Sequence, residues 1–162
     1  SAAGKYPEET VKVMANIALN TEKHIDYIAF SKSSKFIHKG PTDALSHATC
    51  SLANDIKAKC IVVSTLTGTT ARMVSRFRSP IPILGSTTDE KVYRKLALSW
   101  GVTPLISKQY KDTDEMYHEA FKHAILEFEL KHGDTVVLTG GEIHGKAGAT
   151  NTIKLFTVGE SN

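Results

Sequence analysis

Four short apolar runs set apart by helix-like stretches constrain this chain most. The runs are Cys60 to Ser64, Ile81 to Leu84, Val102 to Ile106 and Thr135 to Thr139. Helical spacing separates them. Ala71 to Arg76 follows the first run, and Val92, Leu96 and Ala97 line one face after the second. Met116, Tyr117, Ala120, Phe121, Ala124, Ile125 and Phe128 do so after the third. Strands that alternate with helices build a parallel sheet between helix layers. A last strand, Asn151 to Val158, alternates Ile153 and Leu155 with less apolar neighbours, which suits a sheet edge. The connection into it is too short for a helical crossover, so it runs antiparallel. The expected fold is α/β: a three-layer α/β/α sandwich around a five-stranded mixed sheet, order 3-2-1-4-5, with strand 5 antiparallel. That order puts the topological switch point between strands one and four, where ligands bind beyond the carboxyl ends of the strands.

Two helices precede the sheet. From Pro7 to about Tyr27, Val11, Met14, Ile17, Ala18 and Ile25 fall at helical spacing, with Pro7, Glu8 and Glu9 suited to the first turn. A Ser/Lys-rich linker spans 30–40. Pro41-Thr42-Asp43 opens the second helix, whose apolar stripe is Leu45, Ala48, Thr49, Leu52, Ala53 and Ile56. Thr88 or Asp89 caps the helix after strand two, Gly101 ends it, and Lys131-His132-Gly133 closes the helix after strand three.

Two loops leave the strands that flank the switch point. Ser64-Thr65-Leu66-Thr67-Gly68-Thr69-Thr70 joins strand one to a helix start, where free N–H groups and the positive dipole end face an anion. Gly140-Gly141-Glu142-Ile143-His144-Gly145-Lys146-Ala147-Gly148-Ala149-Thr150 follows strand four and is rich in Gly, with one Lys. Together they suit a ligand that carries phosphate. The first loop also reads as a tight turn with a hydroxyl N-cap, and the second as a hairpin loop. Arg72, Arg76 and Arg78 sit on or just after the helix of the first loop and read as solvated or paired. Trp100 reads as packing where a helix meets the sheet.

Charge and cysteine usage exclude other classes. The 162 residues suit one domain with an appendage, and 20 basic against 17 acidic residues leave no basic patch for nucleic acid or a membrane surface. No apolar run is long enough to span a membrane, and Ser1 to Pro7 lacks the core of a signal peptide. Cys50 and Cys60 read as buried and reduced, without zinc spacing or a nearby base, which favours the cytoplasm. No metal site is read.

These residues resemble pyruvate kinase, in its C-terminal domain. Ser1-Ala2-Ala3-Gly4-Lys5-Tyr6-Pro7 is similar to the stretch that closes that family's catalytic barrel and enters its last helix. Thr65, Thr67, Gly68, Thr70, Ala71, Val74, Ser75, Arg76, Phe77 and Arg78 follow the family's strand-loop-helix pattern. Pro82-Ile83-Leu84, Trp100 to Pro104, Gly133-Asp134, Leu138-Thr139-Gly140 and Thr150-Asn151-Thr152 continue it in order. The resemblance covers essentially the whole chain.

The resemblance implies residues 1–30 as the terminal segment and last helix of the barrel, and 31–162 as the C-terminal α/β domain. It implies a glycolytic parent enzyme that moves phosphate from phosphoenolpyruvate to ADP with Mg and K ions. The chain itself would then carry no cofactor and no activity. It would be a regulatory and assembly domain of a homotetramer. Ser1 matches a substrate-adjacent hydroxyl of the barrel. Thr65, Thr67, Gly68, Thr69 and Thr70 match an effector-phosphate clamp, and Gly145, Lys146 and Gly148 an effector loop. Leu66 departs from the family's usual residues there, the Trp-Arg-Pro sequence of animal forms is absent, and no Arg lies near Met116. The implied effector is therefore a sugar phosphate or a nucleotide monophosphate. Two other readings stay open: a stand-alone phosphometabolite-binding domain, and a structural assembly domain with a degenerate site.

Overall fold

The computed structural model describes residues 4–27, 29, 40–141 and 150–160. The chain divides into two compact units, Ser1–Ser33 and Ser34–Asn162. The first unit contains α1 (Pro7–Glu22), with Pro7 at its start and Glu8 and Glu9 in its first turn. Helix α1 has no buried residue, and Val11, Met14 and Ile17 are each more than half exposed. It is shorter than the sequence pattern suggested, because the chain leaves the helix at Lys23 and reaches Ile25 in a turn.

The second unit runs α2 (Pro41–Asp55), β1 (Cys60–Ser64), α3 (Thr69–Arg76), β2 (Ile83–Thr87), α4 (Glu90–Leu96), β3 (Val102–Ile106), α5 (Thr113–Glu127), β4 (Thr135–Gly140) and β5 (Thr152–Thr157). Its sheet has the order β3-β2-β1-β4-β5. β1 pairs in parallel with β2 and β4, β2 pairs in parallel with β3, and β5 runs antiparallel to β4. This is the expected sandwich, with the expected strand order and sense.

Alternation along the strands divides the core in two. Ile61, Val63, Ile83 and Val137 point to one face, where they meet Cys50 and Ala53 of α2, Ala71 and Val74 of α3, and Leu96 of α4. Cys60, Val62, Leu84, Val136 and Leu138 point to the other, against Tyr117, Ala120, Phe121 and Ala124 of α5. Every residue of β1 is buried, as a central strand covered on both faces must be.

One detail departs from the sequence pattern. β2 begins at Ile83 and extends through Gly85-Ser86-Thr87, a run that reads as a turn. Those residues stay in the sheet because Gly85 and Ser86 pair with Val63 and Ser64 on one side and with Pro104 and Leu105 on the other. β5 stands at the sheet edge, as its alternation suggested, with Leu155 about half exposed and Phe156 buried. Phe156 faces α5, where its ring meets Phe121 edge-on at 5.2 Å.

Candidate functional site

The loop between β1 and α3 lies at the carboxyl end of β1, beside the end of β4. Ser64 of β1 pairs with Gly140 of β4, so the two strand ends are level where their loops diverge. α3 starts one residue after Gly68, which takes a left-handed conformation at φ 77°. A Cβ on Gly68 would stand 3.1 Å from Val92 Cγ1, so both backbone and space favour glycine. Gly68 offers no side-chain cap to α3, in contrast to Asp89, which accepts from the Lys91 and Val92 N–H groups at α4. The first N–H groups of α3 thus point out of the helix without a capping side chain, and the hydroxyl N-cap reading of this turn does not hold.

Hydroxyls surround that helix start. Thr65 Oγ1 accepts from Gly68 N at 3.0 Å, and the Thr67 and Thr69 hydroxyls bond each other at 3.0 Å. Thr70 is buried, and its hydroxyl bonds that of Thr150 at 2.6 Å. The structure therefore brings Thr65, Thr67, Gly68, Thr69 and Thr70 into one turn. Leu66 in the same loop is half exposed. Ser1, and Gly145, Lys146 and Gly148 with His144, lie outside the described residues.

Of the three arginines, only Arg72 reaches this turn, where its guanidinium donates to Thr69 Oγ1 at 3.4 Å. They are three positions apart, which places both on one helical face. Arg76 turns away and grips the buried Asp43 of α2 through both carboxylate oxygens, at 2.8 and 3.0 Å. Arg78 lies 5.0 Å from the centre of the Trp100 ring, and Trp100 lends its carbonyl to the Ser75 hydroxyl at 2.7 Å. Arg72 and Thr150 are the residues tied to this turn that sequence reasoning did not connect with it. The i,i+3 spacing of Arg72 from Thr69 was a usable signal. For Thr150 there was none, since its partner is 80 residues away.

On the opposite face, beneath the same strand ends, two buried hydroxyls have no hydrogen-bond partner among the described residues: Ser64 Oγ and Tyr117 OH. Burial pushes the Tyr117 phenol up to about 12. The nearby Thr152 hydroxyl, which bonds Asn151 Oδ1 at 2.9 Å, draws it back. Desolvation likewise lifts the thiols of Cys50 and Cys60 to about 12, so neither is a nucleophile near neutral pH. Among the described residues, no group of three or more His, Cys, Asp or Glu side chains is placed to hold a metal ion. Among them, too, no helix is long and apolar enough to cross a membrane.

Strand order and site together define a class: an open α/β domain whose candidate site sits at the switch point, above the ends of β1 and β4. More particularly, the chain belongs to the pyruvate kinase family, residues 43–156 matching its model for the "Pyruvate kinase, alpha/beta domain". A pyruvate kinase of Clostridium acetobutylicum is 41% identical over 159 residues, which cover 98% of this chain and 34% of that protein. One from Sporosarcina psychrophila is 36% identical over 99% of this chain and 28% of its own length. One from Lactobacillus delbrueckii subsp. bulgaricus is 35% identical, with 98% and 28% covered. The chain thus spans about a third or less of the length of these relatives.

Proposed function

We propose that this chain is the regulatory and assembly part of a pyruvate kinase, and that the turn at the start of α3 binds the phosphate of an allosteric effector. One observation carries the reading. Helix α3 begins without a capping side chain at the switch point, ringed by the hydroxyls of Thr65, Thr67, Thr69 and Thr70. Backbone N–H groups and hydroxyls donate to phosphate oxygens, and the dipole of α3 adds roughly 0.3–1 kcal/mol. Arg72 brings a full positive charge to the same turn. Lys146, with Gly145 and Gly148 in the segment between Gly141 and Thr150, supplies a second contact to another phosphate or a sugar hydroxyl.

The ligand class is a sugar phosphate or a nucleoside monophosphate. The parent enzyme acts in the cytoplasm on phosphoenolpyruvate and ADP, in glycolysis. Its Mg and K ions are read as belonging to the catalytic part. Residues 1–30 are read as the end of that part, with Ser1 beside its substrate, and this chain alone transfers no phosphate. Calorimetry with fructose 1,6-bisphosphate, a sugar monophosphate, AMP and inorganic phosphate tests the site. Binding by at least one is expected, and its loss in a Thr67→Ala/Thr70→Ala chain. Unchanged affinity in that variant, or no binding at all, refutes the assignment.

The assembly role rests on a separate feature. β5 lies at a sheet edge with Leu155 half exposed, and α1 carries apolar residues on its exposed surface. Open edges and apolar faces pair with other chains. Sedimentation at tens of micromolar should show dimers or larger species. A strictly monomeric chain would count against this role.

A further inference from the structure

Thr70 spends its hydroxyl in an unusual way for a helix. In α2, Ser46 and Thr49 donate back to the carbonyls of Thr42 and Leu45, one turn earlier. Thr70, in the first turn of α3, instead bonds Thr150 Oγ1 at 2.6 Å, and both residues are buried. Thr150 is held from its own side. The next residue, Asn151, donates its N–H to the Gly140 carbonyl at 3.1 Å, and Thr139 Oγ1 donates to the Thr152 carbonyl at 2.9 Å. The hydroxyl pair therefore joins the start of α3 to the start of β5, on a backbone anchored to β4.

A hydroxyl has one proton to donate and two lone pairs to accept with. Between two hydroxyls, one proton is shared in one of two directions. A phosphate oxygen without a proton only accepts. For Thr70 to donate to such an oxygen, the shared proton must come from Thr150. A hydroxyl that accepts a bond also becomes a better donor. Without the Thr150 hydroxyl, the Thr70 O–H loses the partner that fixes its direction.

We propose that Thr150 is a positioning residue of the effector site: its hydroxyl donates to Thr70 Oγ1 and thereby turns the Thr70 O–H toward a phosphate oxygen at the start of α3. This rests on the reading of the Thr65–Thr70 turn as a phosphate site. It gives Thr150 a role in affinity without direct contact with the ligand, and it ties occupancy of the turn to the start of β5.

Inorganic phosphate and AMP are the probes, with affinity measured by calorimetry on the wild-type chain and on Thr150→Val, Thr150→Ser, Thr70→Val and Thr70→Val/Thr150→Val. Valine keeps the shape of threonine and removes the hydroxyl; serine keeps the hydroxyl. Thr150→Val should weaken binding by about five- to tenfold, the size expected for one buried hydrogen bond. Thr150→Ser should bind within about twofold of wild type, a rescue that a packing role would not give. In the Thr70→Val background, Thr150→Val should cost nothing further, because the bond it removes is already gone. Equal loss in the Val and Ser variants, or an undiminished cost in the Thr70→Val background, overturns the positioning role and leaves the phosphate site standing. Failure of the wild-type chain to bind either probe overturns the phosphate site, and the positioning role with it.

Discussion

Gly140 closes β4 directly under the candidate site, and adding one methyl group there should test how tightly the strand ends are packed. A Cβ on Gly140 would stand 2.9 Å from the Ser64 carbonyl oxygen, 2.9 Å from Tyr117 OH and 3.2 Å from Ser64 Cβ. Ordinary contact begins near 3.4 Å, so the methyl intrudes by about half an ångström on two oxygens. The Ser64 oxygen is backbone of a fully buried central strand and cannot swing aside. Overpacking of this kind costs about 1–3 kcal/mol. For a unit of this size each kcal/mol lowers Tm by roughly 4 °C, so Gly140→Ala should melt several degrees early.

Tyr117→Phe isolates one of the two contacts. The Tyr117 hydroxyl is buried without a hydrogen-bond partner among the described residues, so its removal gives up none of the bonds described. An unsatisfied buried hydroxyl costs about 1–3 kcal/mol, part of which the Phe variant recovers. Tyr117→Phe alone should therefore match or exceed the wild type in stability. In the double variant it should restore about 0.5–1 kcal/mol of the Gly140→Ala loss, with the Ser64 contact responsible for the rest. Urea and thermal denaturation, followed by circular dichroism and by Trp100 fluorescence, supply the four stabilities. A loss above ~1 kcal/mol for Tyr117→Phe would mean the hydroxyl is bonded. A neutral Gly140→Ala would mean the strand ends have slack, and either result refutes the packing argument.

Three further predictions follow from buried and capping groups. The thiols of Cys50 and Cys60, lifted from near 9 to about 12 by burial, stay protonated in the folded chain while those of the unfolded chain ionise. Stability should hold below pH 9 and fall as pH rises toward 12, by up to ~1.4 kcal/mol per pH unit for each thiol; native protein at pH 8 should resist a thiol reagent that labels it fully in denaturant. Arg76→Leu takes a charged partner from the buried Asp43 carboxylate and should cost about 2–4 kcal/mol in urea denaturation; a change below ~0.5 kcal/mol would show that the ion pair adds nothing to stability. Asp89 is held below the usual carboxylate range, first by the Val92 N–H, so its cap is present at neutral pH and lost as pH falls through that lowered value. Asp89→Ala should lower Tm at pH 7 and narrow the gap to wild type in strong acid.

Much of the fold was legible because the strands and helices carry different periods. β1, β3 and β4 are apolar runs bounded by polar turns, whereas the pairing of β1 with β4 joins strands far apart in sequence and is decided by the tertiary structure. Where small polar residues continue a strand, the signal fails. Gly85-Ser86-Thr87 looks like a turn, and only pairing on both sides keeps it in the sheet. β5 read as an edge strand, and the sheet places it there. An edge strand meets the core at few positions, and the side chain that reaches α5 is Phe156.

The chemistry divides in the same way. A turn of small hydroxyl residues and glycine between a strand and a helix is a local pattern, and its sequence alone determined that Thr65 to Thr70 would gather at a helix start. Which groups stay available there was decided by tertiary structure. Arg76 is committed to Asp43, 33 residues earlier, and Thr70 to Thr150, 80 residues later. Arg72 remains over the site because its nearest partner is one helical turn away. Local spacing fixes which residues share a turn or a face, since backbone geometry repeats over a few residues. Pairings between distant residues arise only when the sheet and its helix layers close, and those pairings determine which hydroxyls and charges are left to meet a ligand.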